Sequence, residues 1–181
     1  MLQLTIPAGE LWDERTERFI YTKAQTLKLE HSLVSLSKWE SKWCIPFLNN
    51  KEKTNEQILD YFRFMTITQN VDPNVYYLLT SAQINEIVKY IDAPMTATTF
   101  SNRVNNARRS RQQITSELIY YWMVAFNIPF ECQKWHLNRL ITLIRICEIY
   151  NSKPKKRNSK DTLREYAAIN AARRKAHNSK G

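Results

Sequence analysis

The sequence predicts a mainly α-helical (α+β) fold: a helical domain with a small N-terminal antiparallel β-sheet and a basic C-terminal helical or disordered extension. Three observations carry that reading. Among 181 residues only Gly9 and Gly181 are glycine, so the chain is short of the residue that tight turns favour. Apolar residues recur at three- and four-residue intervals between residues 32 and 150. Before residue 31 they alternate in twos. With 43% hydrophobic and 12% aromatic residues, the chain has enough apolar surface for a core and is not of disordered composition. The boundaries that follow are a sheet over 1–31, a helical core over 32–150 and a basic extension over 151–181.

The elements follow in order. Leu2, Leu4 and Ile6 alternate with polar residues and read as a strand ending at Pro7. Leu11-Trp12 and Phe19-Ile20-Tyr21 flank the polar cluster Asp13–Glu17, the pattern of a hairpin. Leu27 and Leu29 add a further strand, for a sheet of two to four. Leu33, Leu36, Trp39 and Trp43 then form a helical stripe that Pro46 ends. Thr54 and Gln57 make a capping box ahead of Ile58, Leu59, Tyr61, Phe62 and Met65. Asp72-Pro73 opens a short helix through Tyr76 and Leu79. Ser81 caps another, through Ile84, Ile87, Val88 and Ile91, which stops before Pro94. Residues 94–113, rich in Thr, Asn and Arg, read as a long loop. Two strong helices come next, Thr115 to Asn127 and one starting near Pro129, whose apolar face holds His136, Leu137, Leu140, Leu143, Ile144 and Cys147. Asn151–Lys160 has the composition of a linker, and Asp161–Lys175 reads as a last helix with a thin stripe of Leu163, Tyr166 and Ala167.

Several chemistries are excluded by what is missing. A P-loop, a dinucleotide fingerprint and a nucleophile elbow each need several glycines. His31, His136 and His177 are the only histidines, and no serine or cysteine stands in a nucleophile motif. Glu30 and His31 are an acid–base combination, but Ser32 acting as a helix cap explains the same string with less. His136, inside an apolar face, reads as a hydrogen-bonded core histidine. Cys132 and His136 fall four apart on the expected helix. A structural zinc needs four ligands, however, and Cys147 would lie roughly 22 Å along that helix. Three widely spaced cysteines do not make a disulfide framework. No catalytic residue, metal ligand or cofactor motif emerges, and the expectation is a protein that is not an enzyme. Met1–Pro7 has no signal-peptide pattern. Leu118–Phe130, the longest uncharged apolar run, falls short of the roughly 20 residues a membrane span needs.

The net charge of +10 is uneven. Residues 1–100 hold 10 cations and 12 anions, and residues 151–181 hold 10 and 2. The expected body, 1–150, is close to neutral. Two basic clusters are candidate phosphate contacts: Arg103, Arg108, Arg109 and Arg111 in the loop, and Lys155, Lys156 and Arg157 in the linker. A solvated basic loop and tail explains them equally well. Leu118–Phe130 (LIYYWMVAFNIPF) is apolar nearly all round. It is therefore either central in the core or part of a groove for a partner helix. Tyr120, Trp122, Met123, Phe126, Phe130 and Trp135 are the candidate partner-binding residues.

Five strings point further: Leu29–Leu33 (LEHSL), Lys38–Trp43 (KWESKW), Met95–Phe100 (MTATTF), Ile114–Met123 (ITSELIYYWM) and Ile128–Leu140 (IPFECQKWHLNRL). With these strings the chain resembles the tail assembly chaperones of long-tailed bacteriophages and prophages, and the resemblance covers most of residues 20–150. That resemblance implies a non-enzymatic protein of the host bacterial cytoplasm. Its role would be to coat the long apolar tape measure protein until tail-tube subunits replace it. The tape measure protein is then the expected partner, with the tail-tube protein and self-association as further candidates. The alternatives are a nucleic-acid-binding phage protein using the basic loop and tail, or a structural component of the virion.

Overall fold

A computed structural model describes residues 1–49, 52–100, 113–151 and 159–177. The fold is mainly α with a small antiparallel β region, as the alternating and helical patterns predict. Strands β1 (Leu2–Ile6) and β4 (Gln25–Leu29) pair antiparallel, and β2 (Gly9–Asp13) pairs with β3 (Arg18–Thr22). One register runs through both ladders, from Leu2↔Leu29 to Asp13↔Arg18. The β region is thus a single long hairpin interrupted at Pro7–Ala8 and Lys23–Ala24. Proline has no N–H to give a ladder, which accounts for the break on one strand. Glu17 closes the turn with a left-handed φ of 51°, and the Asp13 carboxylate accepts from the Arg15 N–H and the Thr16 hydroxyl.

The alternation of the base ladder puts Leu4, Ile6, Leu27 and Leu29 into the same core as the helices. The second edge of β4 is covered: Glu30 N–H donates to the Met65 carbonyl, and Ile67 N–H to that of Lys28. Gly9 sits where the hairpin meets Leu78, with room for a Cβ only 3.0 Å from a Leu78 methyl.

Helix α1 (Leu33–Trp43) starts at Ser32, whose hydroxyl and that of Ser35 cap each other's backbone. Leu33, Leu36 and Trp39 are fully buried, as their spacing predicts. The helix ends at Cys44, which takes a left-handed φ of 53° two residues before Pro46. Helix α2 (Asn55–Met65) carries the expected Thr54–Gln57 capping box and buries Tyr61, Phe62 and Met65. Asp60 on α2 is buried and ion-paired to both Lys42 and Arg63. Asp72-Pro73 opens a 3-10 helix, Pro73–Leu78, rather than an α-helix. Helix α3 (Ser81–Asp92) is capped by Thr80, not Ser81. Thr80 has the extended backbone and stands three residues before Gln83, which returns the bond.

Helix α4 (Ser116–Ala125) is capped by Thr115 and ends as Ile128 N–H donates to the Met123 carbonyl, with Asn127 left-handed. The single helix expected from Pro129 onward is two pieces. A 3-10 helix, Phe130–Lys134, stops at Trp135, and α5 (Leu137–Asn151) begins after His136. A long-range pairing causes the break: Ser32 and His136 form a β-bridge, and Leu137 N–H donates to the His31 carbonyl at 2.7 Å. Cys132 and His136 therefore do not share a helix. Contacts divide the chain into two units, Met1–Glu148 and Ile149–Gly181. In the second, α6 (Ser159–Ala176) ends on Arg173, Arg174 and Lys175, which suits the negative end of the helix dipole. Its Leu163, Tyr166 and Ile169 are exposed. Among the described residues no helix is long and apolar enough to cross a membrane.

Candidate functional site

Helix α4 has almost no polar face to turn outward, so its apolar residues distribute over three environments. Ile119 and Met123 are fully buried; Met123 is core and does not reach a surface. Trp122 and Phe126 are half-buried on the side facing α5. There they line an open trough of about 330 Å³ with Ile114, Ile141, Ile144, Arg145 and Glu148. Tyr121 and Val124 are 65% and 60% exposed. The trough has an apolar floor and one charge of each sign at its edge. The Arg145 guanidinium lies 4.1 Å over the ring of Phe100, which leaves its alkyl stem to extend the apolar wall. Such a surface accepts the apolar stripe of an amphipathic helix.

The remaining candidates fall elsewhere. Tyr120 and Phe130 face one another with ring centroids 6.4 Å apart, and the Tyr120 hydroxyl donates to Gln133 Oε1 at 2.9 Å. Burial pushes that phenol's pKa up. Trp135 lies under the Arg139 guanidinium at 4.3 Å, in a separate cleft. Of the six residues picked from sequence, Trp122 and Phe126 line the trough together, and Trp135 lines a different cleft. The basic candidates Arg103, Arg108, Arg109, Arg111, Lys155, Lys156 and Arg157 lie outside the described residues.

The α4 trough is fastened to the body by a buried acid. Glu40 on α1 accepts from Ser116 N–H with Oε2 (2.7 Å) and from Phe47 N–H with Oε1 (2.8 Å). Its carboxylate thus satisfies an orphan donor at the start of α4 and offsets the positive end of that helix.

No family model, curated protein or solved structure matches the chain.

A second cluster, unseen in the sequence, is polar and buried. His31 Nδ1 and the Tyr61 hydroxyl are 2.6 Å apart, and the His31 and His136 rings meet edge to face at 5.1 Å. His136 Nε2 is 3.0 Å from the Tyr90 carbonyl, and the Tyr90 hydroxyl donates to Glu30 Oε1 at 2.6 Å. Glu30 and His31 thus turn to different partners and do not form an acid–base pair. Burial, with the second imidazole adding to it, drives His31 down to about 3. Burial pushes Tyr61 and Tyr90 upward, Tyr90 also through Glu30. His31, Tyr61 and Tyr90 thus keep their protonation state throughout the neutral range, where a general acid or base has to exchange protons. The cluster ties the β4–α1 junction to α2, α3 and the start of α5.

Beside His31 a concavity of about 400 Å³ opens between Phe47, Lys53, Ile58, Phe62, Val88 and Ile91. The Lys53 ammonium sits 4.3 Å over the Phe47 ring, and burial lowers its pKa. Among the described residues no three His, Cys, Asp or Glu side chains gather into a metal site.

Proposed function

We propose that the chain is a non-enzymatic tail assembly chaperone of a long-tailed bacteriophage or prophage, working in the host cytoplasm. In this reading the trough between α4 and α5 receives apolar helical segments of the tape measure protein. The observation that carries the reading is the state of α4. Half-buried Trp122 and Phe126 wall a solvent-open apolar trough, and Tyr121 and Val124 extend the apolar surface around the helix. A long apolar client aggregates alone, and a shallow trough shields one stretch of it at a time. Contacts of that size are weak singly, which suits a coat that must later give way to tube subunits. The resemblance of residues 20–150 to tail assembly chaperones supports the same assignment.

Co-expression with the tape measure protein is the test. The chain is expected to hold the client soluble in a complex that survives purification, and Trp122→Glu with Phe126→Glu is expected to lose it while the fold is kept. If the client stays insoluble and no complex forms, the reading fails. Mass spectrometry of purified particles separates it from a structural virion role, because a departing chaperone is scarce there.

A second reading rests on the charge of residues 151–181, with 10 cations against 2 anions. It makes the chain a nucleic-acid-binding phage protein, with DNA or RNA affinity that falls steeply with salt. Neutralising Arg108, Arg109 and Arg111 is expected to weaken that affinity, and no binding at low salt removes the reading.

A further inference from the structure

The interrupted hairpin ends in a face that the core does not cover. Trp12 and Phe19 pair across the strands with ring centroids 4.9 Å apart, yet each is 53% exposed, and Tyr21 beside them is 74% exposed. Glu10, Glu14 and Glu17 are exposed around these rings, and none has a cationic partner among the described residues. Arg15 and Arg18 share the tip, also without an ion pair among the described residues, so against Glu10, Asp13, Glu14 and Glu17 the aromatic knob carries a net charge of −2.

At the other end of the same ribbon lies its chemical complement. A cleft of about 310 Å³ is lined by Met95, Lys134, Trp135, His136 and Arg139, together with Glu30 and Tyr90. Glu30 is already engaged by the Tyr90 hydroxyl and the Met1 ammonium. Lys134 and Arg139 are exposed and have no carboxylate partner among the described residues. The Arg139 guanidinium carbon lies 4.3 Å from the centroid of the Trp135 ring, a contact that restrains the side chain before any partner arrives.

We propose that the knob of one copy docks in the cleft of a second copy. The occupant follows from three features: a net acidic knob meets unpaired cations, exposed aromatic rings meet a cleft lined by an indole, and the ribbon keeps the two surfaces of one chain apart. Two residues that line the cleft, Met1 and Glu30, stand at the base of the ribbon. The knob lies about twelve residues away along strands that rise about 3.3 Å per residue, roughly 40 Å in all. A knob cannot fold back into its own cleft over that distance. The contact is therefore head to tail, and such contacts build rings or open arrays rather than closed two-fold dimers. A single knob and cleft make a small, charge-guided interface, so association is weak and salt-sensitive. This proposal does not depend on the client, and it stands or falls separately from the chaperone reading.

Sedimentation of the purified full chain over a range of concentration and salt tests it. The wild type is expected to self-associate at low salt and to dissociate as salt rises. Two double variants, Lys134→Glu with Arg139→Glu and Glu14→Lys with Glu17→Lys, are each expected to weaken association at least tenfold. All four positions are exposed, and circular dichroism checks that each variant is folded. Mixing the two variants is expected to restore assembly, because each then supplies the surface the other lacks. Trp12→Ser with Tyr21→Ser, which leaves every charge in place, is expected to weaken association as well. A wild type that stays monomeric at its highest soluble concentration overturns the proposal. So does assembly that resists high salt, assembly that either charge variant leaves unchanged, or a mixture that stays monomeric.

Discussion

Helices α1 and α4 are both rich in aromatic residues, and they use them in opposite ways. Trp39 on α1 is fully buried, its indole N–H donates to the Gln57 carbonyl at 2.8 Å, and its ring packs on Phe47 at 5.0 Å. No apolar residue of α1 is exposed: Val34 and Trp43 are half-buried, and the outer side carries Lys38, Ser41 and Lys42. Trp122 on α4 is half-buried in an open trough, with exposed Tyr121 and Val124 on the same helix. The difference teaches that an aromatic residue type does not say whether it builds the core or awaits a partner. The polar residues on the opposite face do.

The sharpest way to break this comparison is to truncate both tryptophans. Trp39→Ala is expected to cost about 3–5 kcal/mol in a denaturant melt, because it empties a well-packed, hydrogen-bonded site. Trp122→Ala is expected to cost about 2–3 kcal/mol, less than Trp39 in proportion to its partial burial, while client capture drops. Equal losses would make α4 an ordinary core helix and end the distinction. Next in size is the tie between the two helices. Glu40→Ala leaves the Ser116 and Phe47 N–H groups without their acceptor and is expected to destabilise by about 2–4 kcal/mol. Hydrogen exchange should show that loss concentrated in the first turn of α4 rather than in α1.

Acid sharpens the contrast further, because the buried titrating groups sit on the α1–α2 side. His31 is neutral in the native state down to about pH 3, whereas in the unfolded chain it takes a proton near pH 6.5. Its share of stability is complete above about pH 6.5. It falls as the pH drops toward 3, by at most about 1.4 kcal/mol per pH unit. Burial raises the Asp60 carboxyl, but Lys42 and Arg63 outweigh it and hold the group below the usual range. Asp60 therefore adds a further loss once the pH falls below about 4. His31→Gln is expected to flatten the slope between pH 6.5 and 4 in urea melts followed by tryptophan fluorescence. The smallest effect belongs to the hairpin tip, where Trp12→Ala should cost about 0.5–1 kcal/mol through one cross-strand pair. A larger cost there would mean that the knob is packed and not free.

Local rules explain what the sequence disclosed. Alternation placed the outer two strands, the polar cluster Asp13–Glu17 between apolar runs placed the hairpin, and hydroxyl–glutamine spacing located the α2 cap. At α3 two adjacent hydroxyl residues left the cap one position off. What stayed hidden depended on distant partners. The break between Lys134 and Leu137 arises because His136 bridges to Ser32, and nothing in the local string from Pro129 onward announces it. The same pairing joins His31 to His136, which the sequence offered only as separate residues. The trough was half legible. An all-apolar α4 signalled either core or groove, but choosing Trp122 and Phe126 over Met123 required knowing where α5 runs.

The gap between the two β ladders divides how readily the hairpin opens. Base-ladder amides are sealed by the core on one face and by residues 65–67 along one edge, so their exchange with solvent should track global unfolding. Amides of β2 and β3 beyond Pro7 and Ala24 are held by one two-stranded ladder and should exchange through local opening, orders of magnitude sooner. One register thus carries two clocks, a slow one in the base and a fast one at the tip.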